Sequence, residues 1–159
     1  MQKRKILTYV ISIAVVQLVG FAGTLFTTPS IQSWYSTITK PSFNPPNWVF
    51  GPVWTILFIL IGISLGAVWS TSNANPMRSV ALKVFGVQLF LNLTWSFLFF
   101  YLHRPGLAVV EILILLASIA ANIYYANKAR RSAGWIMLPY FLWVSFATIL
   151  NIAIWRLNS

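Results

Sequence analysis

Five apolar runs, each about as long as a bilayer is thick, constrain this chain more than any other feature. They lie at about 6–26, 49–70, 79–102, 106–127 and 132–156, with ends good to a few residues. A helix needs roughly 20 such residues to cross the hydrocarbon layer. Inside that layer the backbone finds no water, so only helices and closed barrels satisfy its donors and acceptors. None of the runs alternates polar and apolar residues with a period of two. The expected fold is therefore an all-α integral membrane protein, a five-transmembrane-helix bundle forming one domain over residues 1–159. Three connectors are short: STSNANPM (70–77), HRPG (103–106) and NKARRSAG (127–134). The first is long and has a character of its own.

Charge supports the same reading and adds an orientation. Only 8% of the residues are charged, with eleven Lys and Arg, one acid, and mean hydropathy +0.78. A soluble domain would carry about a quarter charged residues. A net charge of +10 would suit nucleic acid on a water-facing surface. Here, however, the basic residues sit in short clusters between apolar runs, which excludes that class. Lys3, Arg4, Lys5, Arg78, Lys83, Lys128, Arg130 and Arg131 fall on one side, against Lys40, Arg104 and Arg156 on the other. That imbalance places the N-terminus inside and the C-terminus outside in a prokaryotic cell membrane. The first run is too long for a secretory leader and no small-x-small site follows it, so it reads as a retained span. With no cysteine and one histidine, His103, the sequence offers no disulfide, thiolate site, covalent haem attachment or histidine-rich metal centre.

The first connector belongs to the stretch Trp34–Trp54, WYSTITKPSFNPPNWVFGPVW. Pro41, Pro45, Pro46 and Pro52 fix φ and remove donors, so most of it is not expected to be plain helix. Rings from Trp34, Tyr35, Phe43, Trp48 and Trp54 bracket Lys40. Such a segment suits a lid over a cavity between helices, or a loop anchored at the interface.

Polar and aromatic residues recur inside the spans at helical spacing. Gln88, Asn92, Trp95, Ser96 and Phe99 share a face of the third, Tyr140, Trp143, Ala147, Thr148 and Asn151 a face of the fifth. Trp54 and Phe58 open the second, one turn apart. Amides in hydrocarbon need partners, which turns these faces inward. Gln88, Asn92 and Asn151 can serve as glue between helices or as ligand contacts. Two inward stripes with tryptophans, on the side of the stiff loop, would favour a flat, mostly apolar ligand. Glu111, the sole acid, lies about 8 Å into the fourth span, where pairing with Arg104 or a functional role are the two readings. A carboxylate relay is not expected, nor is a retinal Schiff base, since no lysine lies mid-span. Gly62 and Gly66 form a G-x-x-x-G pair that invites close approach of another helix, internal or from a second subunit.

These residues resemble the translocator protein family, also known as tryptophan-rich sensory proteins or the peripheral-type benzodiazepine receptor. The resemblance covers most of the chain and is carried by residues 34–54, QLFLNLTWSFLFF (88–100) and PYFLWVSFATILN (139–151). It implies a five-helix bundle, usually homodimeric, with a pocket closed by the first loop. It implies a ligand, porphyrin or haem, without an obligatory cofactor or metal, and sterols or synthetic drug-like ligands as further partners. Trp54 and Trp143 match pocket tryptophans linked to porphyrin binding and to its light-dependent breakdown, and so are the candidate catalytic residues. Asn92, Trp95 and Ala147 match pocket positions. Lys40 to Pro46, with Phe43 and Pro45, matches the lid. Trp34, Phe58, Tyr140 and Asn151 complete the candidate ligand-binding set. Lys40 is placed either to pair with a propionate or to snorkel at the interface. The sterol-recognition stretch of mammalian members has a tyrosine where this chain has Ile152, although Arg156 is present. Three functions fit: a receptor, sensor or carrier for porphyrins; a light- and oxygen-dependent porphyrin-degrading enzyme; a facilitative tetrapyrrole or sterol transporter. No conventional acid–base pair or nucleophile is visible for the second.

Overall fold

The computed structural model describes residues 2–159. Five helical stretches, Lys3–Gln32, Asn47–Trp69, Pro76–Tyr101, Pro105–Ala129 and Arg131–Leu157, are long and apolar enough to cross a membrane. Among the described residues there is no strand. The chain is thus an all-α integral membrane protein built on five spans.

α1 (Gln2–Gln32) outruns its apolar stretch and passes through Pro29. Side-chain hydroxyls bond back onto carbonyls of its last turns: Thr27 Oγ1 donates to Gly23 O (3.0 Å) and Ser33 Oγ to Pro29 O (2.8 Å). A single turn, α2 (Trp34–Thr37), follows, and α3 (Asn47–Trp69) begins directly after Pro46. Helix therefore claims both ends of the Trp34–Trp54 stretch, and only residues 38–46 lack it, which corrects the expectation that most of it is non-helical. Pro46 precedes the first turn of α3, where a missing N–H disturbs little, whereas Pro52 is the sixth residue and leaves the Trp48 carbonyl without its helical donor.

α4 (Pro76–Ser96) is started by Asn75, whose side chain accepts from Met77 N–H (3.0 Å). It ends in a π-helical turn, Phe97–Tyr101. His103 then takes a left-handed conformation (φ 52°), which reverses the chain into α5 (Pro105–Ala129). The fifth span is broken into α6 (Arg131–Ile136) and α7 (Leu138–Leu157). Pro139 explains the break, since it cannot donate to the carbonyl one turn back.

The spans close into a ring in the order α1, α3, α6 with α7, α5, α4 and back to α1. Gly62 and Gly66 settle their partner, because a Cβ on Gly62 would come within 2.6 Å of Ile13 Cα and one on Gly66 within 2.8 Å of the Tyr9 ring. The G-x-x-x-G contact is therefore internal, joining α1 to α3. Ile61, Phe85, Ile112, Leu115, Ile119, Met137 and Val144 fill the centre of the ring. Ser64 Oγ ties α3 to α6 through Ala133 O (2.7 Å). A second apolar cluster, from Tyr35, Phe99, Ala108, Leu150 and Ile154, lies on the side of the first loop. Trp95 packs against both clusters.

A tryptophan-walled candidate site between α1, α3, α4 and α7

A cavity of about 490 Å³ lies between these helices on the loop side. Small-molecule clefts run from roughly 300 to 1,000 Å³. Each wall follows from local packing. On α3, Trp54 stacks on Phe58 (ring centroids 5.4 Å apart, 30°) and meets Tyr140 edge-on (6.3 Å). Room for Phe58 comes from α1, since a Cβ on Gly20 would lie 2.4 Å from that ring. On α4, Trp95 stacks on Phe99 (5.2 Å, 22°). On α7, Trp143 packs against Phe50 and Phe146 (6.1 and 5.6 Å). Edge-on and offset geometries of this kind suit the quadrupoles of the rings.

Hydrogen bonds hold these side chains in place. Trp95 Nε1 donates to Asn151 Oδ1 (2.9 Å), and Asn151 Nδ2 donates to Pro105 O (3.0 Å). Asn151 thereby joins α4, α5 and α7. Asn92 Nδ2 donates to the Tyr140 hydroxyl (3.1 Å). The indole N–H of Trp143 is buried and has no partner among the described residues. Among the described residues, no titratable side chain other than Tyr35 lines the cavity.

Of the residues singled out from sequence, Trp54, Phe58, Asn92, Trp95, Trp143, Ala147 and Asn151 line this one cavity, together with Ser96 and Phe99 of the third-span stripe and Tyr35 and Trp48 of the first-loop rings. Tyr140 does not; it is fully buried behind Trp54 and Asn92. Trp34 is also outside the lining, stacked on His103 (4.5 Å, 15°). Lys40, Phe43, Pro45 and Pro46 lie beyond it as well. Lys40 Nζ donates to Ile38 O (3.2 Å) and sits 4.7 Å from the centre of the Tyr35 ring. Phe43 packs edge-on to Phe146 (6.4 Å). The cavity's loop-side boundary comes instead from Tyr35 and from the start of α3, Asn47, Trp48, Phe50 and Gly51.

Two polar expectations need correction. Glu111 does not pair with Arg104: its carboxylate oxygens are buried with no hydrogen-bond partner among the described residues, while Arg104 is exposed ahead of α5. Seven residues separate them, about 10 Å of rise, and Glu111 faces the interior rather than the interface. Gln88 does not act as glue either, for both its amide atoms are buried and unpartnered among the described residues.

Residues 12–156 match the model of the TspO/MBR family. The chain belongs to that family. It is 44% identical over 154 residues to the tryptophan-rich protein TspO of Archaeoglobus fulgidus, covering 97% of this chain and 99% of that protein. It is 42% identical over 156 residues to the TspO of Chlorobaculum tepidum, with 98% of each chain covered. To the translocator protein of Homo sapiens it is 33% identical over 139 residues, 87% of this chain and 82% of the other.

In this TspO/MBR chain, sequence reasoning missed the wall supplied by α1. Gln17, Gly20, Thr24, Thr27 and Ile31 reach the cavity from one face of that helix. A signal was present: Gly20, Thr24, Thr27 and Ile31 recur at i, i+4, i+7 and i+11 in an otherwise aliphatic span. Phe50 and Phe100 were overlooked too, as side chains at helix ends whose direction no periodicity fixes.

Proposed function

We propose that this protein binds porphyrins, protoporphyrin IX or haem, in the cavity between α1, α3, α4 and α7, and acts as a receptor, sensor or carrier for them. One observation carries the reading: Trp54, Trp95 and Trp143, from three different helices, wall a single cavity. A porphyrin has a broad π face for such walls and carries its charge at one edge. The near absence of titratable groups in the lining suits that division, with the propionates kept at the rim. The distribution of Lys and Arg supports a prokaryotic cell membrane with the N-terminus inside.

Tryptophan-fluorescence titration with protoporphyrin IX, haem and cholesterol side by side tests it. Saturable quenching by the two tetrapyrroles is expected, and an absence of saturation by either would end the proposal. A second reading, light-driven consumption of bound protoporphyrin, draws on Trp54 and Trp143 both reaching the cavity. Illumination should then yield a discrete product that Trp54→Phe with Trp143→Phe abolishes while binding survives. Bleaching at the same rate in that variant removes this reading.

A further inference from the structure

A ligand can reach the cavity past the first loop or sideways between α1 and α3, and the two routes are built very differently. The loop is clamped. Thr39 N–H donates to Asn158 Oδ1 and Asn158 Nδ2 donates back to Thr39 O, both at 2.9 Å. The Tyr35 hydroxyl donates to Asn44 Oδ1 (2.9 Å), and Asn44 N–H closes a turn onto Pro41 O (3.0 Å). Residues 38–46 contribute nothing to the cavity lining.

The side is open. On the half away from the loop, α1 and α3 touch through Gly62 and Gly66, and, one turn from Gly51, Gln17 Nε2 still donates across to Thr55 O (3.2 Å). Towards the loop the two helices part. A Cβ added to Gly51 would meet no atom within 4 Å, although Gly51 lines the cavity. Phe21 and Trp48 line it too and are still 66% and 76% exposed. The nearby hydroxyls are turned onto their own helices, Thr24 Oγ1 to Phe21 O (2.6 Å) and Thr55 Oγ1 to Gly51 O (2.9 Å), so the opening shows methyls and rings. Gly51 is the fifth residue of α3, about 6 Å along the helix from its start, hence just beneath the interface.

We propose that the cavity is loaded sideways from the loop-side leaflet, through a window between α1 and α3 at Gly51, while the first loop stays shut. This deepens the proposed function, since it rests on the cavity receiving a ligand, and it defines the class: a lipid-dissolved amphiphile that slides in apolar body first. Its charged end can stay at the interface throughout, so no charge has to cross hydrocarbon. Exposed aromatic side chains at the window, Phe21 and Trp48, set how wide a body passes.

The absence of cysteine makes the test clean. A single thiol is placed on the cavity wall by Ala147→Cys, and the full chain in proteoliposomes is labelled with membrane-dissolved pyrene maleimide. Adding Gly51→Trp should slow labelling by roughly tenfold or more, as a blocked diffusional path would. Gly86→Ala, away from the cavity, should leave the rate unchanged, Phe21→Ala should raise it, and Asn158→Ala, which frees the loop, should not. An unaltered rate with Gly51→Trp overturns the proposal, as does acceleration by Asn158→Ala. Labelling needs no porphyrin, so a failure here is distinguishable from a failure of porphyrin to bind.

Discussion

Tyr140 shows how a side chain can matter to the site without touching its contents. It is fully buried, and its hydroxyl accepts from Asn92, whose other face lines the cavity. Tyr140→Phe would leave the Asn92 amide short of an acceptor, with an expected loss of about 1–3 kcal/mol measurable by thermal unfolding. Tyr35 behaves differently because it lies outside the spans. Burial raises its hydroxyl above the ordinary phenol value of about 10, and the hydrogen bond to Asn44 works the other way. The folded chain therefore holds this proton more tightly than the unfolded chain. That contribution is complete below about pH 10 and is lost as the pH climbs through the higher folded value. Proteolysis within residues 38–46 should accelerate above about pH 10, and Tyr35→Phe should remove the alkaline step. At this scale sequence was a partial guide. The tryptophans and Asn92 were legible because an amide beside indoles in hydrocarbon has to face inward. Glu111 was not, because a charge is visible in sequence whereas the direction of its side chain is not.

The helices were legible almost in full, since the bilayer sets their length and leaves few alternatives. What escaped were their ends. α1 continues past its apolar run and through Pro29, and α3 starts directly after Pro46, where proline does no harm, and runs on through Pro52. Contacts between helices were the least legible. The Gly62–Gly66 pair announced a close approach without naming its partner, which is α1. The obstruction at Gly62 is backbone, Ile13 Cα and N, and cannot rotate away. Gly62→Val should thus destabilise the fold by about 1–3 kcal/mol or more. Gly86→Ala, where an added Cβ meets nothing within 4 Å inside α4, should be neutral or stabilise by up to about 1 kcal/mol. Thermal unfolding of both variants in one detergent separates them.

For the whole molecule, the ring of spans closes tightly on the side of the 70–75 and 130 connectors and leaves a hollow on the side of the first loop. Small residues do this at one end, with Gly62 and Gly66 drawing α1 onto α3. Bulky rings do it at the other, where Trp54, Trp95 and Trp143 hold α3, α4 and α7 apart. The proline-rich loop, the most conspicuous part of the sequence, is a clamp beside this hollow and not its lining. Filling the hollow tests the account most directly. Ala147 lines it on α7, and Ala147→Trp should weaken protoporphyrin IX binding by roughly a hundredfold, about 2.7 kcal/mol, in a fluorescence titration, with unfolding temperature unchanged or raised. Unchanged affinity in that variant would place the pigment elsewhere on the protein and contradict the account.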